Sequence, residues 1–310
     1  MASRGLAPEL LEVFVDSILF QNFGQIPLLY PMVYNTKSTG RAFVDEFRVA
    51  GLGRFAVKPE GVPVSFSDPV QGDRRRTTVD TFALAFRVTK EMRDDEQHGI
   101  IARMAGDLGN AARDSQDRLA FAPINDGYAG STYTGLPEGD GTRRALWNTG
   151  HVPLRNLAAT QSNRLSPGVA LSTSGLEAAL SIADTMQSEE ERYIRQEFIN
   201  LLIHPDERFN AAQLLESEFE INTADNQINP VSRSQVGLSV VNNGRGAPYI
   251  TDTDSWSLWA SGADALRWHN REELRTAQTS DALTFDEIEI AFWRSAVEIG
   301  EWRDTVGSAP

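Results

Sequence analysis

Apolar positions along the chain keep first a helical rhythm, then a strand rhythm, then alternate between the two. Leu10, Val13, Phe14, Ser17 and Ile18 recur at helical spacing and predict a short amphipathic helix that packs on a partner surface. Pro27 and Pro31 interrupt the segment after this helix, and Lys37–Gly40 reads as a turn, so residues 1–40 read as an extended arm. Residues 41–90 read as β structure. Phe43, Phe47 and Val49 lead to a glycine-punctuated tip, GLGRFAVKPEG, and Val62, Val64 and Phe66 alternate on the way back. A polar loop, SDPVQGDRRR, precedes the strongest strand, in which Phe82, Leu84, Phe86 and Val88 share one face. Together these make a long hairpin, which with one apolar face is marginal alone and needs a neighbour to lie on.

A long helix is predicted over 94–121 from Ile101, Met104, Leu108, Ala111 or Ala112, Ser115 and Leu119, with Asp94 and Asp95 at its N-terminus and Pro123 ending it. Gly99, Gly106 and Gly109 lower its propensity and make sense where another backbone packs closely. Residues 125–167 read as loop. A helix over 174–187 carries a capping-box pattern, Ser174 and Glu177, with Leu176, Leu180 and Ala183 on one face. FINLLI is a strand, and HPDERFNAAQLLES a helix with Pro205 in its first turn. VGLSVV, PYI, WSLWA and EIEIAFW are the later strand candidates. Helices and strands without a regular βαβ period give the α+β class.

Composition narrows the function. The chain has 310 residues with 29 Lys+Arg against 43 Asp+Glu, a net charge of −14, which argues against general nucleic-acid binding. It has no cysteine, hence no disulfide, thiol nucleophile or Cys-ligated metal. The length suits one large domain or two smaller ones, and no stretch has the ~20 apolar residues of a membrane span. Lysine occurs only at 37, 58 and 90, and the other basic residues are arginine, the type enriched at protein interfaces.

Catalytic signatures fail in turn. Thr36, Val57 and Thr89 precede the three lysines, so there is no P-loop. GxSxG and HExxH are absent, and GRG at 244–246 is a lone GxG. His98, His151, His204 and His269 lack ligand spacing and read as structural. Asp252 and Asp254 mimic the start of a calcium loop, but Trp256 and Ala263 stand where ligands belong, so a turn entering a strand is the better account. The acidic run Glu189–Glu191 reads as a solvated face. Trp256, Trp259, Trp268, Trp293 and Trp302 read as core or subunit contact, with a ligand-stacking cleft as the rival. No catalytic, cofactor-binding or metal-ligating residue is assigned.

The order of elements resembles the major capsid proteins of tailed bacteriophages, specifically the Mu-type major head subunits. The likeness covers most of the chain and is best over about 79–304. TFALAFRVTKEMRDDE, running into an Ala-rich helix, is similar to the return strand of the extended loop joining the spine helix. LWNTGH (146–151), LSTSGLEAAL, FINLLIHPDERFNAAQLLES, PYITDTDSWSLWA and RSAVEIGEWRDTVGS come after it in the family's order. Trp147 stands where Phe is usual.

The resemblance implies the tailed-phage capsid fold: an N-terminal arm (1–40), an extended loop (41–90), a peripheral domain with the spine helix (91–154 and 271–310) and an axial domain (155–270). It implies self-assembly into hexamers and pentamers of an icosahedral shell that encloses DNA without sequence-specific binding. A portal, a separate scaffolding protein and a decoration protein are the expected partners, with no membrane. The protein would be made in the host bacterial cytoplasm and reside in the virion. It implies no enzyme activity and no cofactor. Some shells of this fold cross-link a loop lysine to an asparagine; Lys58 lies in the tip without a matching asparagine context. A minor virion protein or an encapsulated-compartment shell of the same fold is a variant of this reading. From another class, a Trp-rich carbohydrate-active enzyme or binding module is the alternative, and it requires two carboxylates converging in a cleft beside the late tryptophans.

Overall fold

The computed structural model describes residues 8–95, 99–219, 228–281, 283–284 and 286–310. In chain order the helices are α1 (Pro8–Gln25), α2 (Lys90–Asp94), α3 (Ile100–Asn125), α4 (Thr173–Thr185), α5 (Arg208–Glu216) and α6 (Arg233–Val236). The strands are β1 (Asn35–Ser38), β2 (Phe43–Glu46), β3 (Val49–Ala50), β4 (Val70–Gln71), β5 (Arg75–Thr78), β6 (Asp80–Val88), β7 (Phe198–Ile203), β8 (Ser239–Val240), β9 (Trp256–Ala260), β10 (Leu266–Ser280), β11 (Glu287–Ile299) and β12 (Thr305–Ser308). One sheet has the order β1-β10-β11-β6, a second β12-β9-β7-β8, and two small pairs, β2-β5 and β3-β4, form the base of the long loop. The class is α+β, as the sequence indicates. No helix among the described residues is long and apolar enough to cross a membrane.

The long helix α3 starts and ends later than its pattern suggests. Asp94 closes the short α2 and Asp95 is its C-cap, so both belong to the element before α3. Gly99 supplies the left-handed N-cap of α3, with φ 64°. Pro123 does not end the helix; it sits inside the last turn, where α3 continues to Asn125. The glycine reading holds at two positions. A Cβ on Gly106 would crowd Asn22, and one on Gly109 would run into the Leu19 carbonyl, so α1 crosses α3 backbone against side-chain-free backbone.

That crossing corrects the reading of α1. Val13 and Phe14, expected on the packing face, are exposed, while Val15 and Leu19 are buried against the chain's own α3 and first sheet. Parts of the segment after α1 are packed as well. Tyr30 stacks on Trp268 at 4.3 Å, Asp117 accepts hydrogen bonds from the Leu29 and Tyr30 amides, and Asn35–Ser38, expected as chain entering a turn, pairs in parallel with β10. The strand β10 itself escapes sequence reading. Its residues LRWHNREELRTAQTS are polar and mostly half-exposed, and two register shifts against β11 break the alternation.

Other boundaries shift for local reasons. Ser172, not Ser174, caps α4 by accepting from the Gly175 amide. FINLLI is β7 as expected, and Pro205 opens a short 3-10 turn capped by His204 before α5. PYI forms no strand, VGLSVV keeps only two strand residues, and WSLWA and EIEIAFW become β9 and the start of β11. All six tryptophans are buried, with Trp147 between Tyr128 and Trp259 and Trp302 stacked on His151 at 3.9 Å. They are core, and the exposed Trp-lined cleft that a carbohydrate site requires is absent among the described residues.

One packed seam carries an electrostatic cost. Glu289 of β11 is buried, and burial together with the negative charges of Asp16 and Glu12 on α1 and of Glu287 pushes its carboxyl up to about 7 from an ordinary 4.5. A raised carboxyl means the folded state prefers the proton. The stability tied to that proton is complete below about pH 4.5 and is lost as pH rises toward 7. Glu289→Gln should therefore raise the melting temperature at pH 8 and leave it nearly unchanged at pH 4; equal shifts at both would contradict the assignment. Gly109→Ala should destabilise the fold by about 1–3 kcal/mol through the clash with α1, despite an intrinsic helix gain of up to ~1 kcal/mol, as read by urea denaturation.

Candidate functional site: the root and tip of the long loop

Residues 41–79 leave the body as a two-stranded stem. In β2-β5, Asp45 faces Arg76, which holds it bidentately at 2.8 and 2.9 Å while its guanidinium lies 3.9 Å over the Phe43 ring. The hydrogen bond from Arg76 draws the Asp45 carboxyl below its ordinary range. The run expected as a polar loop is thus partly strand, β4 and β5, and its arginines are cross-strand partners. Beyond Ala50 the pairing stops. Val62, Val64 and Phe66 alternate as a strand would, but Pro59, Pro63 and Pro69 lack the N–H a ladder needs, and Gly51, Gly53 and Gly61 weaken strand order. The tip presents Leu52, Phe55, Val57, Val64 and Phe66 to solvent, with Phe55 and Phe66 over nine-tenths exposed.

The root is fastened to the body by the residues expected to be a solvated acidic run. Glu189 is buried and accepts from Arg303 Nη1 at 2.9 Å and from the Leu154 amide at 2.6 Å, with Arg48 Nη1 at 3.6 Å. Arg48 comes after β2 in the stem and is 5% exposed, and this carboxylate is the counter-charge beside it. Glu190 accepts from the Gly51 amide. Burial opposes its ionisation, but Ser188, the Gly51 amide and Arg192 together hold its carboxyl below the ordinary range. Glu191 stands at φ 59° in a tight turn from Ser188 to Arg192, and its carbonyl accepts from Arg54. Arg155 completes the grip with a 2.7 Å bond to the Gly51 carbonyl and one to the Asp68 carbonyl.

On the other side of the stem, Glu46 meets Arg267 of β10 and lies 4.0 Å from His269 Nε2. His269 Nε2 is also 3.0 Å from Glu298 Oε2 on β11. This convergence of Glu46, His269 and Glu298 is invisible in the sequence, because its members lie on three strands far apart along the chain. The same holds for Glu189, Arg48 and Arg303.

The remaining candidates stay apart. His151 is buried between Glu138 and Asn163, at 2.5 and 3.0 Å; burial lowers its proton affinity, Glu138 raises it, and the net shift is downward. His204 caps the turn before α5, and His98 lies outside the described residues. Asp252 accepts from the Asp254 amide at 3.2 Å in a bend that enters β9, the turn expected there. Arg48, Arg93, Arg144, Arg267 and Arg303 form ion pairs within the chain, so part of the arginine content is used inside the subunit. Lys58 lies in the exposed tip.

The family described as phage capsid protein matches residues 73–306. None of the curated proteins matches. Among solved structures, the capsid of the cyanophage P-SCSP1u is similar with a TM-score of 0.57 at 12% identity, over 91% of this chain and 87% of that one. Microbacterium phage Oxtober96 gives 0.57 at 11% identity, over 92% and 91%. The virus-like particle from Pyrococcus furiosus gives 0.53 at 11% identity, over 96% and 98%.

Removing the carboxylate at the root should unfasten the loop. Glu189→Ala leaves Arg48 and Arg303 buried without their shared partner and should cost about 3–5 kcal/mol in chemical denaturation. In the folded fraction, trypsin should cut faster after Arg54; unchanged stability and cleavage would show the root is held otherwise.

Proposed function

The chain belongs to the phage capsid protein family, and from that premise we propose that it is the major, shell-forming head subunit. The observation that carries the reading beyond the family is the loop: a stem fastened by buried charges holds an apolar tip away from the subunit's own core. A monomer that exposes Phe55, Val57 and Phe66 on one projecting segment presents a surface for association. In a shell, the extended loop (41–90) would lie on an adjacent subunit. The peripheral domain (91–154 and 271–310) would carry the spine helix α3, and the axial domain (155–270) would line capsomer centres. Repetition of this heterologous contact closes rings of six and five.

The motif order supports placement in the Mu-type group, with a separate scaffolding protein, a portal and a decoration protein as partners. Synthesis in the host cytoplasm and a purely structural role, without enzyme activity or cofactor, fit the same reading. The net charge of −14 suits a wall around DNA, since like charge keeps the packaged polymer from adhering.

Electron microscopy and sedimentation of the purified protein test the proposal. Wild type should yield capsomers or shells. The double variant Phe55→Asp with Phe66→Asp should keep the melting temperature of the subunit and lose assembly. A wild type that stays monomeric under every assembly condition, or a double variant that assembles normally, would overturn it.

A further inference from the structure

We propose that Glu46, His269 and Glu298 form a binding site for one divalent transition-metal ion of the zinc type, at the joint between the long loop and the first sheet. The three side chains come from β2, β10 and β11, and one potential ligand atom of each lies within 4.8 Å of the others. A tetrahedral zinc ion holds nitrogen and oxygen ligands at about 2.0–2.2 Å, which sets neighbouring ligand atoms roughly 3–4 Å apart. His269 Nε2 is 3.0 Å from Glu298 Oε2 and 4.0 Å from Glu46 Oε1, so the site needs only small side-chain movements to close on an ion. One imidazole and two carboxylates leave a fourth position for water, and this donor set suits zinc better than the all-oxygen sites of magnesium or calcium.

A second observation points to a cation. Glu298 is fully buried, and its Oε1 has no hydrogen-bond donor; the Arg75 Nε atom stands 4.0 Å away. A buried carboxylate oxygen without a donor is costly unless a cation meets it. Arg267 does not remove the need. Its guanidinium is divided between Glu46 and Asp264, and no donor hydrogen-bonds Glu298 Oε1. A metal here would join the stem of the loop to both long strands of the sheet, fixing the angle at which the tip leaves the body. The ion site stands on these side chains alone and does not depend on shell formation.

The test uses the full-length purified chain, stripped with a chelator and dialysed. Zinc bound per chain is counted after gel filtration, and cobalt(II) is substituted to read its visible absorption. Wild type should retain one zinc and give the intense bands of a low-symmetry four-coordinate cobalt. His269→Asn and Glu46→Gln should each weaken zinc binding by at least about tenfold, since loss even of a supporting group outside the ligand shell costs that much. His204→Asn, which alters the His204–Asp206 pair elsewhere, should leave it unchanged. Zinc should also slow tryptic cleavage after Arg54 in wild type but not in Glu46→Gln. The Glu46 side chain is 17% exposed against 3% for His269, so that variant keeps the question open to measurement if His269→Asn fails to fold. No zinc uptake by folded wild type, or equal affinity in wild type and Glu46→Gln, would overturn the proposal and leave the cluster as a histidine–carboxylate hydrogen bond.

Discussion

The pairing of one buried carboxylate, Glu189, with two buried guanidinium groups, Arg48 and Arg303, is the constraint on which the shape of this subunit turns. Arg48 belongs to the loop stem, Glu189 to the turn after α4, and Arg303 to the approach to the last strand. Burying the Arg48 guanidinium is compensated by Glu189, whereas Arg303 is held by Glu301 as well. Folding therefore brings the stem, the middle of the chain and its end together, and the direction of the loop is fixed where they meet. Apolar burial supplies most of the stability, but it is non-directional and would not choose this orientation.

The apolar tip makes sense against that background. A long flexible loop bearing Phe55 and Phe66 would lower its free energy by folding back onto its own subunit. Prolines and glycines keep the tip from forming a ladder, and the charged root keeps it from lying down. The body beneath is correspondingly complete. Its tryptophans are all buried, and its N-terminal helix is docked on α3. Among the described residues, the largest group of exposed apolar side chains that follow one another in the chain is on the projecting loop, where Phe55, Val57 and Phe66 are almost fully exposed. The seam between α1 and β11 is the weaker joint, because Asp16, Glu12, Glu287 and Glu289 share it.

Much of the framework is legible in the sequence. FINLLI declares itself as a buried strand, the 3–4 spacing from Ile101 to Leu119 declares α3, and Gly106 and Gly109 announce a close backbone crossing. The order of six short motifs indicates the capsid family. The misleading features are those whose meaning depends on a distant partner. Val13 and Phe14 satisfy a helical stripe, yet Val15 and Leu19 are the buried positions, because α1 meets α3 and the sheet from another side. The strand β10 hides behind polar residues and two register shifts.

Local periods, glycine and proline positions, the acidic balance and family membership are all properties of the linear chain. The roles of the charged residues are not; folding in three dimensions assigns them. Glu189–Glu191 reads as a solvated run because sequence shows only its neighbours along the chain; the fold brings Arg48, Gly51 and Arg54 onto it. Glu46, His269 and Glu298 are far apart in the chain and meet only through strand pairing and the docking of the stem. Hydrophobic periodicity is a property of consecutive residues and can be read in one dimension. The energy of a charge depends on what surrounds it in space, and that is settled only when the chain has folded.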